Sequence, residues 1–413
     1  MRYVAVVSLS YAVACAPTSV GPAQPAFPTV DLLRTGHRVV AYYPAWASLN
    51  ADAPYLIADV PADVLTHLNY AFANISETGE IIAGYPRADT ARTNHGASDK
   101  VFHGNFRELQ RLKDRYPHLR TLISVGGWEW SGQFSTVAAT AESRRRFAES
   151  AVDFLTRFGF DGVDLDWEFP ATDGLHPGRP EDAVNFTLLL AAVRHALREE
   201  ETARGRRYYL TIAAPGDLGA ARKLQWTEIH RYVDWINVMA YDFAGTWSQK
   251  TVLNGALYPT DRLEYDGSLL NEQANARDLL FGYLEANVPA EKIILGVSFG
   301  GKAWYGVPNR NNGLFQPYGG GAVAPTTYIR ATEVQHRMQE FWHEEAQVPW
   351  LFDPETGLMI TFENSRSMWL KGAFARENRL GGVMLWQIAG DDSSHVLLRS
   401  LVAGVIGNTK GMP

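Results

Sequence analysis

Eight short runs rich in β-branched and aromatic residues recur along the chain. They are Arg38–Tyr43, Thr66–Ala73, Arg120–Val125, Asp161–Asp166, Tyr208–Ala213, Asp234–Met239, Ile293–Ser298 and Gly382–Gln387. Between them lie stretches with helical spacing, such as Phe106–Tyr116, Ala141–Phe158, Ala183–Glu200, Leu270–Asn287 and Met368–Asn378. Parallel strands that are covered by helices are apolar along most of their length. The alternation therefore predicts an α/β protein, a (β/α)8 TIM barrel over residues 37–406.

The seventh and eighth runs are separated by more than 80 residues. A barrel of about 250 residues does not need so long a connection. Residues 303–362 are therefore predicted to form an inserted α+β lobe, with a helix near Thr332–Glu345 and a strand at Gly357–Phe362. A long irregular loop is the alternative, but such loops are uncommon in compact domains.

The first 36 residues have a composition of their own. An apolar run leads to Ala12-Val13-Ala14-Cys15, which contains an A-x-A cleavage site. Residues 1–15 are therefore predicted to be a signal peptide, and the protein to be secreted. The same four residues resemble a lipobox, so Cys15 is either a lipid anchor at the cell envelope or incidental. Residues 16–36 carry four prolines among small residues and are predicted to be a flexible tether.

A formal net charge of −7 argues against nucleic acid and anionic membranes as partners. Only a lipid at Cys15 would link the chain to a membrane. We find no zinc-ligand spacing and no phosphate-binding glycine loop in the sequence, so we expect neither a metal nor an organic cofactor. A neutral polymer or a small molecule is the better expectation.

Three carboxylates stand at alternate positions in the segment Asp161–Pro170: Asp164, Asp166 and Glu168. Residues two apart in a strand share a face, so all three are expected to point into the barrel. Crowded, poorly solvated carboxylates repel one another, which raises a carboxyl pKa and keeps one of the groups protonated. Glu168 comes last, at the end of the strand where barrel enzymes have their active sites, and is predicted to be a catalytic acid. A buried ion network or a metal cage is the alternative.

The pattern DGxDxDWE in this segment resembles the signature of glycoside hydrolase family 18, the chitinases and their relatives. Ser124-Val125-Gly126-Gly127 is similar to the SxGG motif of that family, and Met239-Ala240-Tyr241-Asp242 to its MxYD motif. Trp386 lies near the end of the eighth run, where the family has the tryptophan that forms the floor of the cleavage subsite. The resemblance covers roughly residues 38–406, and the predicted lobe resembles the insertion of one branch of the family.

One segment departs from the family pattern. Gly296–Trp304 has Ser298, Gly300 and Lys302 where the family often has Pro, Tyr and Arg. The acid-rich strand is unaffected, so the departure concerns substrate preference along this wall.

The resemblance implies a retaining hydrolysis in which the acetamido group of the substrate is the nucleophile. Glu168 would protonate the leaving oxygen and later activate water. Asp166 would hydrogen-bond the acetamido N–H, and Asp164 would share a proton with Asp166. Tyr241 would donate to the acetamido oxygen. Asp242 would fix sugar hydroxyls or the end of the strand.

Further residues are predicted to contact the substrate. The set is Trp386, Asp242, Tyr42, Phe72, Gly127, Trp128 and Met239. Core packing is an equal alternative for Tyr42 and Phe72, and packing below the site is the simplest role for Met239. The SxGG residues either support Asp164 or only pack in the barrel. Asp161, which is out of phase with the acidic row, has either a structural or a functional role.

Five tryptophans follow predicted strands or lie in the insertion: Trp46, Trp128, Trp130, Trp247 and Trp304. Sugars stack on aromatic faces, so two or three of them are expected to be stacking platforms. The function implied is that of a chitinase acting on chitin or chitooligosaccharides. An endo-β-N-acetylglucosaminidase and a peptidoglycan hydrolase of the same family are alternatives. A non-catalytic sugar-binding relative is disfavoured, because such proteins typically lack the acid found here at Glu168.

Overall fold

The structure is a computed structural model that describes residues 29–90, 104–245, 247–260, 274–319, 325–327 and 338–408. Its strands, in chain order, are β1 (Arg38–Pro44), β2 (His67–Ile75), β3 (Ile81–Ala83), β4 (Arg120–Gly126), β5 (Gly162–Asp166), β6 (Tyr209–Ala214), β7 (Trp235–Val238), β8 (Ile293–Ser298), β9 (Gly300–Trp304), β10 (Pro325–Thr327), β11 (Gln339–His343), β12 (Val348–Asp353), β13 (Leu358–Thr361) and β14 (Gly382–Trp386). The described helices are α1 (Thr29–Thr35), α2 (Pro86–Asp89), α3 (Asn105–Arg115), α4 (Phe134–Ala139), α5 (Ala141–Phe158), α6 (Asp182–Arg204), α7 (Leu218–Ala221), α8 (Trp226–Tyr232), α9 (Ala276–Glu285), α10 (Ser365–Glu377) and α11 (Val396–Ile406).

Eight of these strands close into a parallel barrel. Their order is β1-β14-β8-β7-β6-β5-β4-β2, and β2 pairs again with β1 to close the ring. Each of the eight predicted runs coincides with one of these strands. The prediction of a (β/α)8 barrel is therefore confirmed.

The long helix α5 shows how the outer layer is specified. The hydroxyl of Thr140 accepts a hydrogen bond from the backbone N–H of Ser143, which caps the first turn. Gly159 ends the helix in the left-handed conformation. Phe147 and Phe154 lie on its buried face and join the core between barrel and helices. The cap, the stop and the apolar face agree, so this helix has the bounds that its sequence predicts.

The insertion before the last barrel strand is an antiparallel sheet with the order β10-β9-β13-β12-β11. This sheet confirms the predicted lobe, and it begins at Gly300, directly after β8. The helix predicted near Thr332–Glu345 is wrong over residues 339–343, which form strand β11; residues 332–337 lie outside the described part. Across the sheet Phe341 is paired with Trp350, and the two rings stack at 5.2 Å between centroids. This cross-strand aromatic contact stabilises a strand where spacing alone also allows a helix.

The lobe and the barrel are joined by a buried ion pair. Lys371 of α10 contacts Glu363, which lies two residues beyond β13, and their side chains are 2% and 6% exposed. Gly255, in a barrel loop, lies so close to both that a Cβ there would overlap the carboxylate of Glu363. Removing either charge would leave the other buried without its partner, which is costly. The loop, the lobe and the helix are therefore held together at this point.

The chain enters the barrel through helix α1. Leu32 is buried in the main core, so the tether predicted for residues 16–36 is wrong in its last part, where Leu32 anchors the segment. Residues 1–28, with the predicted signal peptide and Cys15, lie outside the described residues. No described helix is both long enough and apolar enough to cross a membrane.

Candidate active site

A cleft of about 1060 Å³ opens at the C-terminal end of the barrel strands. Most of the residues predicted from sequence line it, namely Glu168, Asp166, Tyr241, Asp242, Trp386, Phe72, Trp128 and Met239. Tyr42, Asp164 and Gly127 are not among the lining residues. The barrel thus brings together motifs from four distant parts of the chain.

Asp164 lies below the cleft, fully buried, at the centre of a ring of hydrogen bonds. Its Oδ2 accepts from the hydroxyls of Tyr42 at 2.7 Å and Ser124 at 2.8 Å. Its Oδ1 accepts from Thr211 Oγ1 at 2.5 Å and Asn237 Nδ2 at 3.2 Å. Burial raises the pKa of Asp164, and these hydrogen bonds act in the opposite direction because they stabilise the carboxylate.

The sequence left the roles of Tyr42 and Ser124 open, and the structure shows that both hydroxyls bind Asp164. Tyr42 is 2% exposed and donates its hydroxyl to Asp164, below the cleft, and its contact with substrate stays a prediction. Ser124 donates to Asp164 from β4. Neither hydroxyl belongs to the cleft surface.

Gly127 is a place where only glycine fits. Its φ is +79°, and a Cβ there would lie 2.6 Å from the ring of Phe72. Gly127 thus packs closely against Phe72, which does line the cleft, and the substrate contact of Gly127 itself stays a prediction.

Asp166 is the least satisfied of the three acids. It is 4% exposed, and its Oδ1 is buried with no hydrogen-bond partner among the described residues. Burial raises the pKa of Asp166 well above its ordinary value, and the negative charges of Glu168 and Asp164 add to this effect. The described residues show no hydrogen bond between the carboxyl groups of Asp164 and Asp166. All four hydrogen-bond partners of Asp164 lie on other strands.

Glu168 is partly buried in the cleft. Its backbone N–H donates to Ser131 Oγ at 2.9 Å, and this hydroxyl also donates to the carbonyl of Gly127. Burial raises the pKa of Glu168 to about 7, and the negative charge of Asp242 contributes to the shift. A carboxylic acid with this pKa is substantially protonated near neutral pH, as a general acid must be.

Tyr241 and Asp242 face the acids from the end of β7. Burial, together with the charges of Asp166 and Glu168, raises the pKa of Tyr241 well above its ordinary value. The phenol therefore remains a hydrogen-bond donor at any physiological pH. Asp242 has a positive φ of 56° and pairs with Lys302 Nζ at 2.9 Å. The lysine that departs from the family pattern thus lies in the cleft.

Aromatic rings form the floor and one wall of the cleft. Trp386 lies 5.7 Å from Phe72, 5.8 Å from Tyr42 and 6.2 Å from Trp46, measured between ring centroids. Its peptide bond to Gln387 is cis, as are those of Ala71–Phe72 and Glu168–Phe169. Of the five tryptophans singled out in the sequence, Trp46, Trp128, Trp130 and Trp247 line the cleft. Trp304 is fully buried in the core of the lobe.

Several residues of the site were missed from sequence. Thr211 and Asn237 donate to Asp164 from β6 and β7. The alternation of side chains along these strands could have predicted that both residues point into the barrel. Tyr85 and Ser131 come from loops, and no local pattern marks them as parts of the site.

Asp161 lies at the opposite end of the barrel. It forms ion pairs with Lys113 and Arg206, and it accepts a hydrogen bond from the backbone N–H of Thr121 at 2.9 Å. Its role is structural.

No cluster of three or more metal-binding side chains occurs in the described part of the chain.

Comparison with known proteins gives a consistent result. Chitinase A1 of Niallia circulans is 36% identical over 401 residues, which cover 86% of this chain and 56% of that protein. This chain therefore spans little more than half the length of that relative. Endochitinase 1 of Metarhizium robertsii is 31% identical over 365 residues, 86% of this chain and 82% of that protein.

Solved structures agree with these relatives. Chitinase ChiA74 from Bacillus thuringiensis is similar with a TM-score of 0.81 at 33% identity, over 90% of this chain and 70% of that one. The Group IV chitinase of Ostrinia furnacalis in complex with allosamidin has a TM-score of 0.79 at 28% identity, over 91% and 100%.

The family model "Glycosyl hydrolases family 18" matches residues 38–391. This range contains the acid-rich strand, the SxGG and MxYD motifs, and Trp386. The chain belongs to glycosyl hydrolase family 18.

Proposed function

We propose that this protein is a chitinase that hydrolyses β-1,4 bonds between N-acetylglucosamine units. The observation that carries the proposal is Glu168, a carboxyl group with a pKa of about 7 in a cleft whose floor and wall are aromatic. An acid of this pKa can protonate a glycosidic oxygen, and aromatic faces bind sugar rings. The relatives named above are chitinases, which supports the same substrate.

The proposed reaction has no protein nucleophile. Glu168 donates its proton to the glycosidic oxygen while the acetamido carbonyl oxygen of the substrate attacks the anomeric carbon. The bond to the leaving sugar breaks, and a cyclic oxazolinium ion forms. Water then attacks the same carbon and gives its proton to Glu168, which restores the acid. Two inversions leave the product with the original β configuration.

The neighbouring groups suit the charges of this reaction. Asp166 lines the cleft and has a carboxyl oxygen without a partner, so it is the group proposed to accept the acetamido N–H. Tyr241 is a permanent donor and would hold the acetamido oxygen in line for attack. Asp164, supported by its four donors, would share a proton with Asp166, so the two aspartates should titrate as a unit.

The shape of the cleft favours a long linear substrate over the alternatives. Trp46, Trp130, Trp128 and Trp247 all line it, so aromatic surface extends well beyond the floor at Trp386. A chain of repeated sugar rings can use all of this surface. N-glycans are branched and peptidoglycan carries peptides, so fewer consecutive sugar rings of either polymer could use this surface.

The function can be tested by comparing substrates. Chitin oligomers should be cleaved, with products resolved by chromatography, at rates far above those for N-glycans and for peptidoglycan assayed in parallel. Faster release of N-glycans, or solubilisation of peptidoglycan, would replace chitin with that polymer. No turnover of any of the three would contradict an enzymatic function.

Glu168→Gln should abolish turnover with little effect on folding or on oligosaccharide binding. The amide has the shape of the acid but cannot donate the proton, and general acid–base catalysis contributes about 10²–10⁴-fold. Single-turnover rates and calorimetric binding would be measured on the same preparation. A variant that keeps more than about a tenth of the wild-type rate would contradict the assignment of Glu168.

The alkaline limb of the kcat/KM profile should report the ionisation of Glu168. The acid must be protonated, so kcat/KM should fall as pH rises through about 7. Asp242→Asn removes a negative charge that raises this pKa, and the limb should move to lower pH. Glu129→Gln removes another carboxylate of the cleft and is the matched control, for which we expect no movement. An unmoved limb in Asp242→Asn would refute the electrostatic role of Asp242.

Chitosan distinguishes substrate assistance from a protein nucleophile. Fully deacetylated chitosan lacks the attacking group and should not be cut. Partly acetylated chitosan should give products whose new reducing ends are all N-acetylated and appear first as the β-anomer, which mass spectrometry and NMR can follow. Frequent glucosamine at the new reducing end would mean that a carboxylate of the protein attacks directly.

A further inference from the structure

A chain of buried hydrogen bonds lies behind one wall of the cleft. Asp89 is fully buried; its Oδ1 accepts from the hydroxyl of Tyr70 at 2.6 Å, and its Oδ2 accepts from the backbone N–H of Tyr85 at 2.8 Å. The side-chain amide of Asn105 donates both to Tyr70 Oη at 2.9 Å and to Ser48 Oγ at 3.0 Å. The four side chains come from four separate segments, which this chain ties together.

Each end of this buried chain holds a segment that supplies an aromatic ring to the cleft. Ser48 belongs to the 3-10 turn Ala45–Leu49 and donates to the carbonyl of Ala45 at 3.0 Å, which fixes the turn around Trp46. Asp89 is the last residue of α2 and fixes the backbone of Tyr85, the residue just before that helix. The positions of both rings therefore depend on the same hydrogen bonds.

The rings of Trp46, Tyr85 and Trp130, which we call the aromatic arm, lead away from the floor of the cleft. Trp46 lies 6.2 Å from Trp386, Tyr85 lies 5.6 Å from Trp46, and Trp130 lies 5.0 Å from Tyr85. The backbone behind the arm has no spare room, since a Cβ at Gly84 would overlap both the carbonyl of Phe72 and the ring of Trp130. A small shift of this backbone must therefore move the rings.

Core packing alone does not account for Asp89. Burial raises the pKa of this carboxyl group to about 6, which shows that its charged form is poorly solvated. An apolar side chain of similar volume would fill the same space without this cost. What a carboxylate adds is two directed acceptors, one for Tyr70 and one for the backbone of Tyr85.

We infer that Asp89 is a positioning residue for substrate, which sets the aromatic arm and thereby the affinity for sugar rings bound beyond Trp386. The inference rests on the proposed function, because the arm binds sugars only if the cleft binds chitin. Asp89 does not line the cleft, so it acts through Tyr85 and Trp46. Its effect should grow with the length of the substrate.

The test compares a long substrate with a short one. Asp89→Asn and Tyr70→Phe would be assayed on N-acetylchitohexaose and on a chromogenic glycoside of the disaccharide. For the hexamer we expect KM to rise about three- to tenfold, the range of a misplaced aromatic stacking partner, with kcat within about twofold of wild type. For the disaccharide glycoside both constants should stay near those of wild type.

Asp161→Asn is the matched control. Asp161 is also a buried carboxylate with several donors, but it lies at the opposite end of the barrel. The Asp161→Asn variant should have a lower thermal stability, and any change in its kinetic constants should be the same for the long and the short substrate. Calorimetric binding of both ligands in a Glu168→Gln background would show the same length dependence without turnover.

Equal losses on both substrates, or a length-dependent loss in Asp161→Asn as well, would reduce Asp89 to a core residue and overturn the inference. If Asp89→Asn does not fold, Tyr70→Phe decides, because it keeps the bond that the Tyr85 N–H donates to Asp89 and removes only the two bonds of the Tyr70 hydroxyl, one donated to Asp89 and one accepted from Asn105. Wild-type protein that cleaves neither substrate would refute the proposed function itself. Active wild type with length-independent variants would refute this inference alone.

Discussion

A carboxylate in the middle of a barrel must be hydrogen-bonded from several sides, and Asp164 meets this requirement with donors from four strands. Tyr42 comes from β1, Ser124 from β4, Thr211 from β6 and Asn237 from β7. Because these four donors converge on one carboxyl group, they fix the positions of their strands relative to one another along the barrel axis. The motifs that follow these strands are therefore presented at a common height around the cleft.

The carboxyl groups of Asp164, Asp166 and Glu168 differ in how many hydrogen bonds they accept, and Asp164 accepts the most. Among the described residues Asp164 has four donors, Asp166 has an oxygen with none, and Glu168 is held by a hydrogen bond of its backbone N–H. Burial raises the pKa of all three acids; at Asp164 hydrogen bonds act against this effect, whereas at Asp166 and Glu168 neighbouring negative charges add to it. The same acidic row thus has a hydrogen-bonded acid at its base and an acid with a raised pKa at its end, and alternation of residues is sufficient to place both.

The sequence predicts the parts of this protein that depend on local periodicity. All eight barrel strands were found because apolar runs bounded by helical stretches occur in the order that a barrel requires. Alternation along β5 and the two residues after it was enough to predict that Asp164, Asp166 and Glu168 form one row. β11 was mistaken for part of a helix because Phe341 and Trp342 satisfy either period until Trp350 is known to lie opposite.

What the sequence does not predict is contact between distant segments. Ser48, Tyr70, Asp89 and Asn105 are ordinary polar residues in four unrelated stretches, and only the fold reveals that they form one hydrogen-bonded chain. Lys302 was noticed only as a departure from the family pattern, since its partner Asp242 lies 60 residues away. Local patterns have no access to such pairs.

The two ion pairs that join the lobe to the barrel bear on how far the lobe is an interchangeable module. One pair, Lys302 with Asp242, reaches into the cleft; the other, Lys371 with Glu363, is buried behind the sheet. A lobe transplanted from a relative would have to bring a cation to Asp242 and an acid to Lys371, or it would leave Asp242 without its ion pair in the cleft and Lys371 as a buried charge without a partner. Exchange of lobes among such enzymes therefore requires matching residues on the recipient barrel, and the boundary between the two parts is set by charge as much as by chain connectivity.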